Sequence, residues 1–145
     1  MERYILLSIQ PKIVKEIIDG TKKFEFRKKF PNLEEGNVNK KIIIYSSKPT
    51  MKIIGSYVVK TYYHSDFCSL MNKVNATTAY EARISKYFTN KDSCHAMEIS
   101  ELKIYDTPLS LEYLRKSFPG FVPGQSYRYL NNLIVDNILM LNGYI

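Results

Sequence analysis

Residues 20–29 read GTKKFEFRKK, a glycine followed by clustered charge that is interleaved with two phenylalanines. The phenylalanines alternate as the inward positions of a half-buried strand do, whereas Lys23, Glu25 and Arg27 fall in the opposite phase and share one face. Glu25 can pair with either of these cations or, around the end of the strand, with Lys22. Such a fixed polar group can grip a phosphate or a nucleobase, or position a proton. A surface ion-pair ladder is the alternative interpretation.

The chain before this stretch predicts a central strand and a short amphipathic helix. Residues 4–9 are apolar almost throughout, as expected of a strand inside a sheet. Pro11 can open a helix because an N–H in the first helical turn has no helical partner to lose. Apolar residues follow at helical spacing, and Gly20 stands where a residue of left-handed conformation ends a helix.

The remainder of the chain alternates apolar strands with helical segments, without a linker or an internal repeat. Three predicted strands within residues 22–63 have short connections and no helix between them, which favours antiparallel pairing. We therefore predict a single α+β domain over residues 1–145, with a mixed or mostly antiparallel sheet that can close into a small barrel. The predicted strands are 4–9, 22–29, 41–46, 52–63 and 94–106, and the predicted helices are 11–19, two within 65–88, 110–116 and 129–141.

The composition favours a globular, cytoplasmic protein without membrane association. Of its 145 residues, 45% are hydrophobic and 24% are charged, which is the usual balance of such proteins. No stretch approaches the roughly eighteen consecutive apolar residues of a membrane helix, and no signal-peptide pattern is found. Two cysteines suggest no disulfide framework, which fits a reducing compartment.

The net charge of +7 is unevenly distributed along the chain. Residues 1–60 carry thirteen Lys and Arg against six Asp and Glu, whereas residues 61–145 carry eight of each kind. The excess therefore lies in the half that contains residues 20–29. Concentrated positive charge favours a polyanionic partner, because each neutralised phosphate releases a counterion. A solvated lysine-rich surface is the alternative.

The first third of the chain resembles the ASCH domain family of the PUA-like superfamily. The family's hallmark G-x-K-x-x-E-x-R is matched by Gly20, Lys22, Glu25 and Arg27. The similarity also covers residues 7–11, 44–47 and 54–57, and extends to 124–129. It implies a PUA-like β-barrel whose openings are covered by helices.

The resemblance also implies a basic cleft that binds RNA, another nucleic acid or a nucleotide, without a cofactor. Lysine and arginine suit phosphates, a carboxylate can accept from a base amino group, and a tyrosine offers a stacking face. Ser8 can add a hydroxyl. The cleft residues that the resemblance implies are Lys22, Glu25, Arg27, Tyr45, Ser46, Gln125 and Tyr127.

Three other functions remain open for the same region. Some relatives resemble amidohydrolases of acylated nucleosides that use a lysine and a threonine, but this chain has Glu25 where that threonine would stand, and Thr21 is a poor substitute. Other ASCH relatives are described as ribonucleases, for which Lys22 and Glu25 would supply acid–base catalysis. The third alternative is a regulatory module whose basic face docks on an acidic protein.

Four scattered residues raise the question of a metal site. His64, Cys68, Cys94 and His95 have the ligand chemistry of zinc, but their spacing matches no standard zinc pattern. Neighbours on a strand also point to opposite faces, which separates Cys94 from His95. We therefore expect a buried thiol and a partly exposed histidine rather than a metal.

Overall fold

A curled six-stranded sheet with helices packed against it forms the fold in the computed structural model, which describes residues 3–74 and 93–145. The second helix predicted within residues 65–88 lies outside the described residues. The strands are β1 (Ile5–Ile9), β2 (Phe24–Arg27), β3 (Gly36–Ser46), β4 (Lys52–Asp66), β5 (Ser93–Ser110) and β6 (Tyr127–Tyr129). The helices are α1 (Pro11–Ile18), α2 (Phe67–Val74), α3 (Leu111–Ser117) and α4 (Asn132–Leu141).

The sheet is mixed and mostly antiparallel, as the sequence predicts. Its strand order is β2-β5-β4-β3-β1-β6, and β1 and β3 form the one parallel pair within it. Strands β3 and β4 pair antiparallel as predicted. Strand β2 pairs with β5 rather than with its sequence neighbour β3, so that Phe26 and its partner Ala96 pack in the same apolar cluster as α2.

Two apolar clusters lie on opposite faces of the sheet because neighbouring residues of a strand point to opposite sides. Ile5 and Leu7 belong to the cluster that contains α1, whereas Leu6 belongs to the cluster that contains α3 and α4. The sheet curls so that its two edges approach each other. Arg27 of β2 donates a hydrogen bond to the carbonyl of Ser8 at 2.9 Å.

Local signals place both ends of α1 and the beginning of α3 correctly. Helix α1 begins at Pro11, and Gly20 just beyond its end has a φ of +82°. The side chain of Ser110 accepts a hydrogen bond from the Tyr113 N–H and so caps α3 as predicted. Among the described residues, no helix is long and apolar enough to cross a membrane.

The predicted helix over residues 129–141 is wrong at its beginning. Tyr127–Tyr129 is instead the short strand β6, whose backbone pairs with β1. Helix α4 starts only after Asn131, whose side chain accepts from the Ile134 N–H at 3.0 Å. Strands β3 and β5 are also longer than predicted, because pairing with β4 holds polar residues in extended conformation.

Candidate nucleic-acid interface

A cleft of about 750 Å³ opens where β1 and β3 end, between α1, β2, α3 and the loop that precedes β6. Its walls therefore come from segments that are far apart in sequence. We call it the cleft throughout. Its lining residues are Ser8, Ile9, Gln10, Ile13, Lys22, Glu25, Phe26, Arg27, Tyr45, Ser47, Lys48, Met51, Leu111, Arg115, Pro123, Gly124 and Gln125.

Glu25 is the buried centre of the cleft floor, with 4% of its surface exposed. Its two carboxylate oxygens lie 3.3 Å from Lys22 Nζ and 3.0 Å from Arg27 Nη2. The backbone N–H of Phe26 donates to the same carboxylate at 3.2 Å. The ion pairs are therefore buried, and the surface-ladder interpretation is wrong for them.

Lys22, and not Lys23, is the lysine partner of Glu25. Lys22 is buried and Lys23 is exposed, as the predicted alternation requires, although β2 itself begins only at Phe24. Glu25 departs from the alternation, because it shares the phase of Lys23 but is buried. The Lys22 N–H donates to the carbonyl of Glu16 at 3.1 Å, which turns the chain at the end of α1. Its ammonium then lies between the carboxylate and the ring of Phe26, 5.7 Å from the ring centre.

The charges of this group keep Glu25 ionised. Burial favours the neutral carboxyl and alone would raise its pKa, but Arg27 and Lys22 outweigh burial and hold the pKa below its ordinary value of 4.5. Burial raises the pKa of Tyr57 well above its usual 10, and the neighbouring carboxylate of Glu25 adds to that shift. At neutral pH the cleft floor thus carries one carboxylate and two cations.

Hydrogen bonds tie the walls of the cleft together. The guanidinium that binds Glu25 also binds the Ser8 carbonyl, and the Ser8 hydroxyl donates to the carbonyl of Gly124 at 2.9 Å. The ends of β1 and β2 and the loop before β6 are therefore held in one arrangement. Ser8, an expected hydroxyl donor, does line the cleft.

Two exposed cations of the cleft were not predicted. Lys48 comes from the turn between β3 and β4, and Arg115 from the last turn of α3. A Ser110 cap predicts α3, but only the packing of Leu111 and Leu114 in the core determines which of its cations faces the cleft. Among the described residues that line the cleft, Glu25 is the only acidic one.

The structure brings most of the predicted site residues together. Ser46, however, is 2% exposed and does not line the cleft, although its neighbours Tyr45 and Ser47 do. Tyr127 packs instead against Phe30, with ring centres 5.8 Å apart. Tyr45 lines the cleft but is only 3% exposed, which leaves its ring little area for stacking. The predicted residues that line the cleft are Lys22, Glu25, Arg27, Tyr45 and Gln125.

Thr21 is not oriented as a nucleophile of this cleft. Its hydroxyl donates to the carboxylate of Asp19 at 2.8 Å and also lies 3.3 Å from the Glu16 carbonyl. These contacts hold it at the end of α1, and Thr21 does not line the cleft. Thr21 therefore cannot serve as the threonine nucleophile of an amidohydrolase in this cleft.

The four candidate metal ligands do not converge. His64 and His95 stack with ring centres 4.0 Å apart, while Cys94 is buried in the cluster that contains α2 and Cys68 is exposed. His95 is also buried and shares a hydrogen bond with the Tyr62 hydroxyl; burial, with a smaller effect of His64, lowers its pKa to about 4. No group of three or more His, Cys, Asp or Glu residues in the described part of the chain could hold a metal.

A mixed, curled sheet with these helices defines an α+β half-barrel. The family model of the ASCH domain matches residues 7–103, and the chain belongs to the ASCH domain family. The resemblance inferred from Gly20, Lys22, Glu25 and Arg27 is thereby confirmed.

Several characterised proteins share this fold. The chain is 22% identical over 141 residues to an ASCH domain-containing ribonuclease from Zymomonas mobilis, covering 97% of this chain and 93% of that protein. The crystal structure of ASCH from Zymomonas mobilis has a TM-score of 0.79 at 21% identity, with 95% of this chain and 94% of that chain covered. The N-terminal domain of McrB from Staphylothermus marinus has a TM-score of 0.58 at 12% identity, with 94% and 93% covered.

Proposed function

We propose that this protein binds RNA through the cleft. The observation that carries the proposal is the charge of the lining, in which the described residues include four cations, Lys22, Arg27, Lys48 and Arg115, and one carboxylate, that of Glu25. A concave site with surplus positive charge attracts phosphates, and its volume of about 750 Å³ suits a nucleotide-sized group.

The lining residues divide into a buried floor and an exposed rim. Lys22 and Glu25 are 7% and 4% exposed, and Glu25 pairs with both Lys22 and Arg27, so the main role of this pair is to shape the floor. Lys48 and Arg115 are exposed, and they are the cations that a phosphate backbone reaches first. Gln125 is exposed as well and offers an amide that can donate to and accept from a base edge.

A relative supports RNA as the polyanion. The Zymomonas mobilis protein that matches nearly the whole chain is named a ribonuclease, and such an enzyme has to bind RNA. Residues 1–60, which carry the whole charge excess, also supply most of the lining. The name of the relative favours RNA over an acidic protein, and the charge of the lining suits a polyanion.

Replacement of one exposed arginine tests the proposal. Arg115→Ala removes a charge that lines the cleft, whereas Lys116→Ala removes the neighbouring charge on the same helix outside it. We expect Arg115→Ala to weaken binding of a labelled single-stranded RNA about tenfold, as measured by fluorescence anisotropy. Lys116→Ala should leave the affinity within about twofold of the wild type.

The dependence on salt provides a second readout of the same experiment. A lost phosphate contact should reduce the slope of log affinity against log salt by about 0.7 in Arg115→Ala. Equal affinities and equal slopes for the two variants would remove the cleft as the binding site.

Cleavage of RNA in the same cleft is the second candidate, favoured by the name of the Zymomonas mobilis relative. Glu25 is doubly ion-paired, so it is a weak general base and better suited to positioning Lys22 and Arg27. End-labelled RNA incubated with the wild type and with Glu25→Gln separates the candidates. RNA that is cleaved by the wild type but not by a folded Glu25→Gln protein would support cleavage as the function. RNA that stays intact with the wild type would rule out cleavage and leave RNA binding as the proposed function.

A further inference from the structure

A second cavity, of about 460 Å³, lies at the other end of β1 and shares no lining residue with the cleft. The cleft is lined by Ser8 and Ile9 at the end of this strand, whereas Tyr4 immediately before the strand lines the second cavity. We call this cavity the tyrosine–lysine pocket. Its polar and aromatic lining residues include Tyr4, Asn39, Lys41, Glu101, Lys103 and Tyr144.

Two aromatic rings of the pocket each carry a lysine ammonium above them. Lys103 Nζ lies 4.8 Å from the ring centre of Tyr144, and Lys41 Nζ lies 5.4 Å from that of Tyr4. Tyr144 is 42% exposed as a residue, and its ring centre lies 6.1 Å from that of Tyr105. Adjacent aromatic rings and ammonium groups suit a ligand that joins a flat ring to an anion.

Two strand irregularities bring polar side chains to the same pocket. Asn39 and Glu101 have φ values of +49° and +47°, a conformation that is uncommon for residues other than glycine. Both lie where the pairing with β4 shifts its register, and such bulges redirect side chains and occur beside functional sites. Glu101 and Asn39 supply the acceptors and donors that a nucleobase edge requires.

We propose that the tyrosine–lysine pocket binds a single nucleotide unit. Its base stacks on the ring of Tyr144 and is read by Glu101 and Asn39, while Lys41 and Lys103 hold its phosphate. The unit is either a free nucleotide or one nucleotide of an RNA that also occupies the cleft. The second source is within reach, because the four residue steps from Tyr4 to Ser8 span only about 13 Å along a strand.

Titration with AMP, followed by the backbone amide signals of the protein, tests the pocket itself. We expect shifts at Ser56, Val58 and Lys103, and a Kd for AMP at this site at least tenfold weaker in Lys103→Ala and in Tyr144→Ala. Lys60→Ala, an exposed change on β4 outside the pocket, should bind AMP as the wild type does. Shifts confined to the cleft, or none at all, would overturn the proposal, as would unchanged binding in both pocket variants.

RNA oligonucleotides of two lengths distinguish the two sources. If an RNA nucleotide fills the pocket, Lys103→Ala weakens a longer RNA while leaving a trinucleotide in the cleft unaffected. If a free nucleotide fills the pocket, Lys103→Ala weakens the binding of AMP and leaves the affinity for both RNAs unchanged. AMP binding in Arg115→Ala separates this proposal from the cleft, because that variant changes only the cleft and should retain the shifts at the pocket.

Discussion

At the scale of single residues, the cleft depends on Glu25. This carboxylate brings Lys22 and Arg27 together in a buried place where two unpaired cations would repel each other and lose hydration. Arg27 in turn binds the Ser8 carbonyl, so one acidic residue fixes the floor and one wall. In this chain, the Lys, Glu and Arg of the hallmark G-x-K-x-x-E-x-R therefore form one buried ion-pair group.

Glu25→Gln is expected to destabilise the fold by about 3–5 kcal/mol, because it leaves two cations without their buried partner. Urea denaturation measures the loss. Glu112→Gln is the matched control, since its pair with Lys116 is exposed and contributes at most about 1 kcal/mol. Equal losses in the two variants would contradict the central role of Glu25.

The same residue predicts a dependence on pH. The pKa of Glu25 is lowered in the folded protein, so its ion pairs add stability above the ordinary value of 4.5, and this contribution is lost as the pH falls through the folded pKa. Wild-type stability should therefore drop more steeply in acid than that of Glu25→Gln. Parallel acid denaturation curves would show that this carboxylate does not couple folding to pH.

At the scale of elements, α3 carries Arg115 to the cleft, and its position depends on a local cap. The Ser110 side chain accepts from the Tyr113 N–H at 3.1 Å, and Leu111 and Leu114 fix the helix in the core. A cation in the last turn is then held at the rim. The proposed RNA contact of Arg115 therefore depends on the anchoring of α3 at its first residues.

Ser110→Ala should destabilise the protein by about 1 kcal/mol through loss of this cap. Ser117→Ala, an exposed change at the other end of α3, should cost much less. Thermal unfolding of both variants measures the difference. A Ser110→Ala protein as stable as the wild type would show that core packing alone positions α3.

The elements also show how far the sequence predicts the structure. Pro11, Gly20 and Ser110 mark helix ends through local chemistry, and the structure confirms these ends. Strand β6 was missed because its three residues become a strand only by pairing with β1, more than a hundred residues earlier. Lys48 and Arg115 were missed for the same reason, because only the tertiary fold brings them beside Arg27.

At the scale of the whole molecule, the curled sheet closes through contacts between its two edges. Phe30 follows β2, and its ring centre lies 5.8 Å from that of Tyr127, in the strand beside β1. The same ring also packs near Tyr62 and His95. Together with the bond from Arg27 to Ser8, this contact makes the curled sheet a half-barrel. The cleft lies where the two edges meet.

Phe30→Ala is expected to cost about 3–5 kcal/mol, because it leaves a cavity at this closure. Phe24→Ala removes a ring that is only half-buried and should cost clearly less. Urea denaturation compares the two. A smaller loss for Phe30→Ala than for Phe24→Ala would contradict the closure of the sheet through this ring.

Photo-crosslinking shows where RNA contacts the protein and so tests binding in the cleft without any substitution. A single-stranded RNA with a photoreactive thiouridine is irradiated with the wild-type protein, and the crosslinked peptides are identified by mass spectrometry. We predict crosslinks within the segments that line the cleft, which are residues 8–13, 22–27, 45–51, 111–115 and 123–125. Crosslinks confined to residues outside the cleft, such as the exposed Lys60 of β4, would contradict RNA binding in the cleft.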